Sequence, residues 1–353
     1  MTSSALLEAL SRFAVTGPEF GGFLANHGPM AVEAMTVMRG ENEVAGWVDG
    51  YVRNLDEPPR PGNSVTARNW RHWLGNVQAL GDWTTFFLRE TREAPWHSLL
   101  TTWWPRLLPG LAASATHGVI RTAHAVRTLS TAGEQPDTLL VEELARGLGL
   151  WAARFQILPG PARGAGGLDA VAALTRMPRL PSDVPSRGVG VNGRLARLED
   201  LQGFSTALGA WQVLPSAEAA LSELVGAAAR VVAARPDAPI PLCHTVTAPA
   251  AIRLVLPYLA PDVQRASVAA AWQVVGGVVA AFAVPPHRDE ARGISLTDRE
   301  ISNLLDRLPA AAIDHGDEHV IKLSEAALRE YRVSHDTTLL VAADRFRSRI
   351  PRT

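Results

Sequence analysis

His117-Gly118-Val119-Ile120-Arg121-Thr122-Ala123-His124-Ala125-Val126-Arg127-Thr128-Leu129 is the stretch that decides the fold class. Val119, Ile120, Ala123, Val126 and Leu129 recur at three- and four-residue spacings, the period of a helix rather than the alternation of a half-buried strand. Met30 to Arg39 repeats the pattern with Met30, Val32, Ala34, Met35 and Met38. Ser216 to Ala234 is alanine-rich and follows Pro215, which suits a helix start. Pro261-Asp262 precedes an apolar helix over Val268 to Val284 that ends at Pro285-Pro286, and further helices are expected over Asp298 to Leu308 and Asp336 to Arg347. No series of short alternating runs is present, which argues against a sandwich or barrel. The expectation is an all-α, single multi-helical domain over 1–353.

One segment interrupts that pattern. Leu158 to Arg197 holds Pro159, Pro161, Pro178, Pro181 and Pro185 among seven glycines, so it cannot be one continuous helix. It reads as a long Pro/Gly-rich central connection, a loop or lid over 158–197.

Composition narrows the partners. Hydrophobic residues make up 47% and charged residues 20%, as in a globular protein with a large interior. The 34 basic residues nearly balance 35 acidic ones, for a net charge of -1, so there is no electrostatic footprint for nucleic acid or an anionic membrane. Val268 to Val284 is short for a bilayer span and carries Trp272, Gln273, Gly276 and Gly277, so a buried helix is expected there. Met1 to Arg12 lacks a basic segment followed by a long apolar run, and Cys243 is the only cysteine. A cytoplasmic location is the resulting expectation.

Lys322 is the only lysine; every other basic residue is an arginine. A GC-rich genome exchanges lysine for arginine wherever either serves, so the survivor marks a position arginine cannot fill. Lysine can lose its proton and arginine in practice cannot. In an apolar site, or beside a cation, the neutral amine becomes accessible, and carbon dioxide converts it to a carbamate, a carboxylate on a long arm. An ion pair with Asp317, Glu318 or Glu325 is the structural alternative.

Ten histidines accompany it, several within apolar helical segments. Neutral imidazole suits iron, zinc and copper alike. His319 and Lys322, three apart, share one helix face and can reach one ion. His117 and His124, seven apart, also share a face but lie roughly 10 Å from each other, a strained span for two ligands of one metal. His117 is therefore taken as ligand and His124 as the catalytic or substrate-facing residue; the reverse satisfies the same spacing. The ten tryptophans, Trp70, Trp73, Trp83, Trp96, Trp103 and Trp104 among them, read first as core and second as the wall of a pocket for a flat substrate. Gly188-Val189-Gly190-Val191-Asn192-Gly193 has the glycine spacing of a dinucleotide-binding turn, but it follows prolines where a buried strand is needed. No Gly-x-Ser-x-Gly elbow is present, so ordinary hydrolase chemistry has little support.

Four stretches together resemble questin oxidase-like proteins. They are Asn26-His27-Gly28-Pro29-Met30-Ala31-Val32-Glu33-Ala34, His117 to Arg127, His244-Thr245-Val246-Thr247-Ala248-Pro249-Ala250 and His319-Val320-Ile321-Lys322-Leu323. They run in order from residue 26 to residue 323. The resemblance implies an enzyme that oxidatively opens the ring of an aromatic polyketide such as an anthraquinone. It implies a non-haem iron(II) site with O2 as co-substrate, held by His27, His117, His244, His319 and a carboxylated Lys322. It also leaves an NADPH-dependent Baeyer–Villiger-type monooxygenase as the alternative. A non-catalytic helical protein that binds a polyketide is the third reading.

Overall fold

The computed structural model describes residues 3–160, 164–234, 238–284 and 294–352, so Pro161 and the Pro285-Pro286 helix end lie outside the described residues. The protein is all-α. Among the described residues the only sheet is a two-stranded antiparallel hairpin, β1 (Glu19–Phe20) with β2 (Leu24–Ala25). The chain forms two compact units, Met1–Ile157 with Leu254–Val263, and Leu158–Arg253 with Gln264–Thr353.

The first unit contains α1 (Ser4–Phe13), α2 (Gly28–Val37), α3 (Glu41–Tyr51), α4 (Trp70–Trp73), α5 (Leu80–Glu93), α6 (Trp96–Leu107), α7 (His117–Thr131) and α8 (Thr138–Ala153). The helix expected over 118–129 is α7, and the one expected from Met30 is α2. α8 lies against both α7 and α5, burying Leu144, Leu148 and Trp151. The approach to α7 requires Gly118, where a Cβ would stand 2.7 Å from the Trp151 Cα. Trp83 stacks on Phe87 with centroids 5.6 Å apart and meets Trp103 edge-on, while Trp104 meets Trp151 at 90°. Most tryptophans of this unit are core, as helical spacing first suggests, while Trp47 and Trp73 are half-buried. Trp70, Trp83, Trp96, Trp103 and Trp104 are all buried.

The second unit contains α9 (Ala170–Arg176), α10 (Gly190–Leu195), α11 (Phe204–Leu208), α12 (Ala217–Ala234), α13 (Pro239–Val255), α14 (Pro261–Phe282), α15 (Asp298–His315), α16 (Glu318–Ser334) and α17 (Thr338–Arg349). The last two residues of α13 and the first three of α14 belong to the first unit. The segment 158–197 is more than a connection, because it contributes α9 and α10 and buries Leu174, Met177 and Leu195. It is tied down by Leu180 N–H to the Ala280 carbonyl (2.8 Å) and by Arg194 to the Ala281 carbonyl (3.1 Å).

α13 and α14 are long and apolar enough to cross a membrane, yet 72% and 67% of their most apolar windows are buried in the fold. They are core helices. α15 runs past the expected stop at Leu308, carrying Pro309 inside it because Leu308 and Ala312 are both buried. It ends at Gly316, whose φ of +87° lets the chain turn directly into α16.

Candidate metal centre

In the first unit two histidines meet. His27 is the N-cap of α2, and its backbone N–H donates to the Tyr51 hydroxyl at 2.9 Å. Asn26 fixes the chain on either side: its Oδ1 accepts from Gly28 N–H (3.0 Å) and its Nδ2 donates to the Gly17 carbonyl (3.0 Å). Gly28 cannot carry a side chain, since a Cβ would fall 2.4 Å from the Phe13 ring.

His117 opens α7 after Ser114, Ala115 and Thr116, three successive non-glycine residues with φ of +49°, +54° and +75°. Left-handed backbone costs roughly 1–2 kcal/mol at each such residue, so the surrounding packing must hold this turn in place. The turn sets the Ser114 carbonyl 2.5 Å from His117 Nδ1. A carbonyl only accepts, so Nδ1 carries the proton and Nε2 keeps the lone pair a metal would use. The His27 and His117 rings lie 4.3 Å apart at 31°, with ring nitrogens within 4.8 Å of each other.

His124 has a different environment from His117. Its Nδ1 is 2.7 Å from Glu33 Oε2, and Glu33 also accepts from Arg127 Nε at 2.6 Å. Burial pushes the Glu33 carboxyl upward, but Arg127 and His124 outweigh it and hold the group below its usual range. His124, Glu33 and Arg121 line a small cleft whose open space, about 10 Å³, is room for one water. Arg121 is 2% exposed and makes a bidentate pair with Glu143 at 2.5 and 2.8 Å. Sequence reasoning passed over Glu33 and Glu143. A signal for Glu33 existed, since it is the one charge within the apolar run Met30 to Met35.

In the second unit His244, on α13, and His319, on α16, stand with rings perpendicular (88°) and centroids 5.8 Å apart. Burial, then Lys322 and His319, holds His244 well below the usual histidine range, so it is a neutral imidazole. Within α13, Pro249 supplies no N–H to the Thr245 carbonyl one turn back, next to His244. Asp317 is the N-cap of α16; its Oδ1 accepts from His319 N–H (2.9 Å) and Val320 N–H (3.0 Å). Asp317 Oδ1 and Glu318 Oε1 each lie 3.6 Å from His319 Nδ1, and donor atoms of Asp317, Glu318 and His319 all fall within 4.8 Å of one another.

Lys322 follows His319 by one helical turn and is 2% exposed. Its Nζ has no hydrogen-bond partner among the described residues, and no carboxylate there lies at ion-pair distance. The ion-pair alternative is therefore not realised: Glu325 pairs with Arg329 at 3.1 Å instead. Burial lowers the Lys322 pKa, against the pull of Cys243, Glu318 and Asp317. Burial also raises the Cys243 thiol to about 12, and its Sγ reaches the Ile240 carbonyl, which makes it a structural thiol.

The buried histidines and their adjoining carboxylates are a donor set compatible with a metal-binding enzyme site. His27 lies with His117, and His244 with His319 and Lys322, while His124 is bound to Glu33. His315 is structural, its Nε2 lying 3.0 Å from the Ile350 carbonyl. Gly188 to Gly193 follows no strand and closes on itself, with the Gly193 α-carbon facing the Gly188 carbonyl, so it has no dinucleotide-binding context. No family model matches this chain, and no curated protein matches it.

Proposed function

We propose that this protein is a metal-dependent oxygenase of the questin oxidase-like kind, using iron(II) and O2 to cleave a ring of an aromatic polyketide. The donor set is His27, His117, His244, His319 and Lys322, the lysine acting as neutral amine or as carbamate. The observation that carries this reading is Lys322, a buried amine with no bonded partner, one turn from His319. An isolated buried ammonium is costly in water-free surroundings, so the site calls for a further group to meet the amine. Bound iron(II) would supply the binding and activation of O2 beside the substrate.

The chain's own residues do the rest. Ser114 holds the proton of His117 on Nδ1. Burial keeps His244 neutral. Glu33 accepts from His124 Nδ1 and so orients this ring in the cleft that Arg121 also lines, where it would face a substrate.

Elemental analysis of anaerobically purified protein tests the proposal, with about one iron per chain as the expected result. His27→Ala and His244→Ala should each lower metal affinity about 10–100-fold, the scale of losses at supported metal sites. Oxygen uptake with an anthraquinone and no NADPH separates the dioxygenase from the Baeyer–Villiger alternative. Full metal content and activity in both variants would exclude this donor set.

A further inference from the structure

We infer that Arg121 is a substrate-binding residue, its Nη1 donating to an uncharged carbonyl oxygen in the cleft that it shares with His124. This rests on the oxygenase reading above and names the group of the substrate that the cleft receives.

The observations all lie within the first unit. Leu6 and Leu10 of α1, Met30 of α2 and Leu140 of α8 give the cleft apolar walls, while Arg121, Glu143, Glu33 and His124 supply its charged and polar groups. A few fixed polar groups among apolar walls are the usual make-up of a ligand site. A guanidinium carries five N–H donors. Arg121 commits Nε and Nη2 to the two oxygens of Glu143, at 2.5 and 2.8 Å. Its Nη1 is buried and has no hydrogen-bond partner among the described residues. No other described residue lining the cleft leaves a buried side-chain nitrogen or oxygen in that condition. A buried donor without an acceptor is costly, so the site calls for an oxygen opposite Nη1. The two-pronged pairing with Glu143 holds the guanidinium plane and so fixes where that oxygen sits.

Charge and size specify the ligand. Arg121 pairs with Glu143 and Arg127 with Glu33, so opposite charges cancel around the cleft and an anion finds no surplus positive charge. The open space, about 10 Å³, admits one oxygen atom rather than a whole molecule. A carbonyl group, one projecting oxygen on an apolar skeleton, meets both conditions. A hydroxyl would also bring a proton, and every carboxylate oxygen of Glu143 and Glu33 already accepts from arginine or histidine.

The test uses the full chain, iron(II)-loaded under anaerobic conditions and again after chelation. Fluorenone and fluorene are the probes, alike in shape and different at one carbonyl. The wild-type ratio of fluorenone to fluorene affinity should fall at least tenfold in Arg121→Lys, the scale of one hydrogen bond from a charged donor. Lysine keeps the charge opposite Glu143 but has no second arm for the ketone. The carbonyl stretching frequency of bound fluorenone should be lower in wild type than in the variant. Melting curves show which variants fold. Arg121→Met combined with Glu143→Met leaves no buried charge unpaired and carries the test if Arg121→Lys does not fold. An unchanged affinity ratio and carbonyl frequency in a folded variant, or a wild type that binds neither probe, would overturn the assignment of Arg121 alone. A carbonyl preference that depends on Arg121 in a chain that takes up no iron would keep this assignment and overturn the oxygenase reading.

Discussion

At the scale of single residues, Lys322 distinguishes function from structure most sharply. A buried amine without a partner costs about 1–3 kcal/mol of desolvation that no hydrogen bond returns. Lys322→Met removes that cost while keeping an unbranched chain of similar length. The metal-free Lys322→Met protein is therefore expected to melt at or above the wild-type temperature, while its metal affinity falls at least tenfold. Lys322→Arg should lose the metal as well, because a permanent cation replaces a group that can be neutral. Calorimetry of the metal-free forms and metal titration of both variants check this. A metal-replete Lys322→Arg protein with wild-type affinity would remove lysine from the donor set. The sequence made this residue legible through composition alone, since one lysine among 34 basic residues is conspicuous without any fold. Glu33 was not legible in that way, because acids are common and only its neighbours in space set it apart.

At the scale of elements, helical spacing carried real information about the site. The seven-residue gap in α7 separates a histidine beside His27 from one bonded to Glu33, and the three-residue gap in α16 sets Lys322 one turn from His319. The pairing of His244 with His319 was not readable, since it joins helices far apart along the chain. Nor were α9 and α10, short helices held by tertiary packing within a proline- and glycine-rich stretch. The contact of α2 with α7 gives a prediction of its own through Glu33, His124 and Arg127. The folded Glu33 pKa lies below its ordinary value of 4.5, so its stabilising contribution is complete above about that pH and is lost as pH falls through the lower folded value. Glu33→Gln should therefore be less stable than wild type near neutrality by about 3–5 kcal/mol, the cost of breaking a buried pair. The gap should narrow steadily once the pH drops below 4.5. Denaturant midpoints of the two proteins across pH 3 to 7, roughly the carboxylate range and above, measure it; a gap independent of pH would mean that the charge of Glu33 does not stabilise the α2–α7 contact.

At the scale of the whole molecule, the question is whether a metal folds the chain or only occupies it. Small metal-dependent domains unfold when stripped, because metal binding supplies their folding free energy. This chain is differently placed: 353 residues bury a large apolar interior, with Trp83, Trp104, Trp151, Trp211 and Trp272 all fully enclosed. Its helices are also closed by their own devices, such as the Thr297–Glu300 capping box of α15 and the Asp317 cap of α16. Chelation should thus leave the helical circular dichroism intact and lower only the melting temperature. A ligand held only by the folded state stabilises it by about 2.7 kcal/mol at a hundredfold excess over Kd. With an unfolding entropy of about 2.1 cal/mol/K per residue, that corresponds to a shift of roughly 4 °C if the chain melts as one transition. Adding iron(II) anaerobically after chelation should restore the wild-type melting temperature and raise that of His244→Ala by about half as much or less, given its about 10–100-fold weaker binding. A chelated chain that loses its helical signal would assign the metal a structural role, and equal shifts in wild type and His244→Ala would place the bound ion elsewhere.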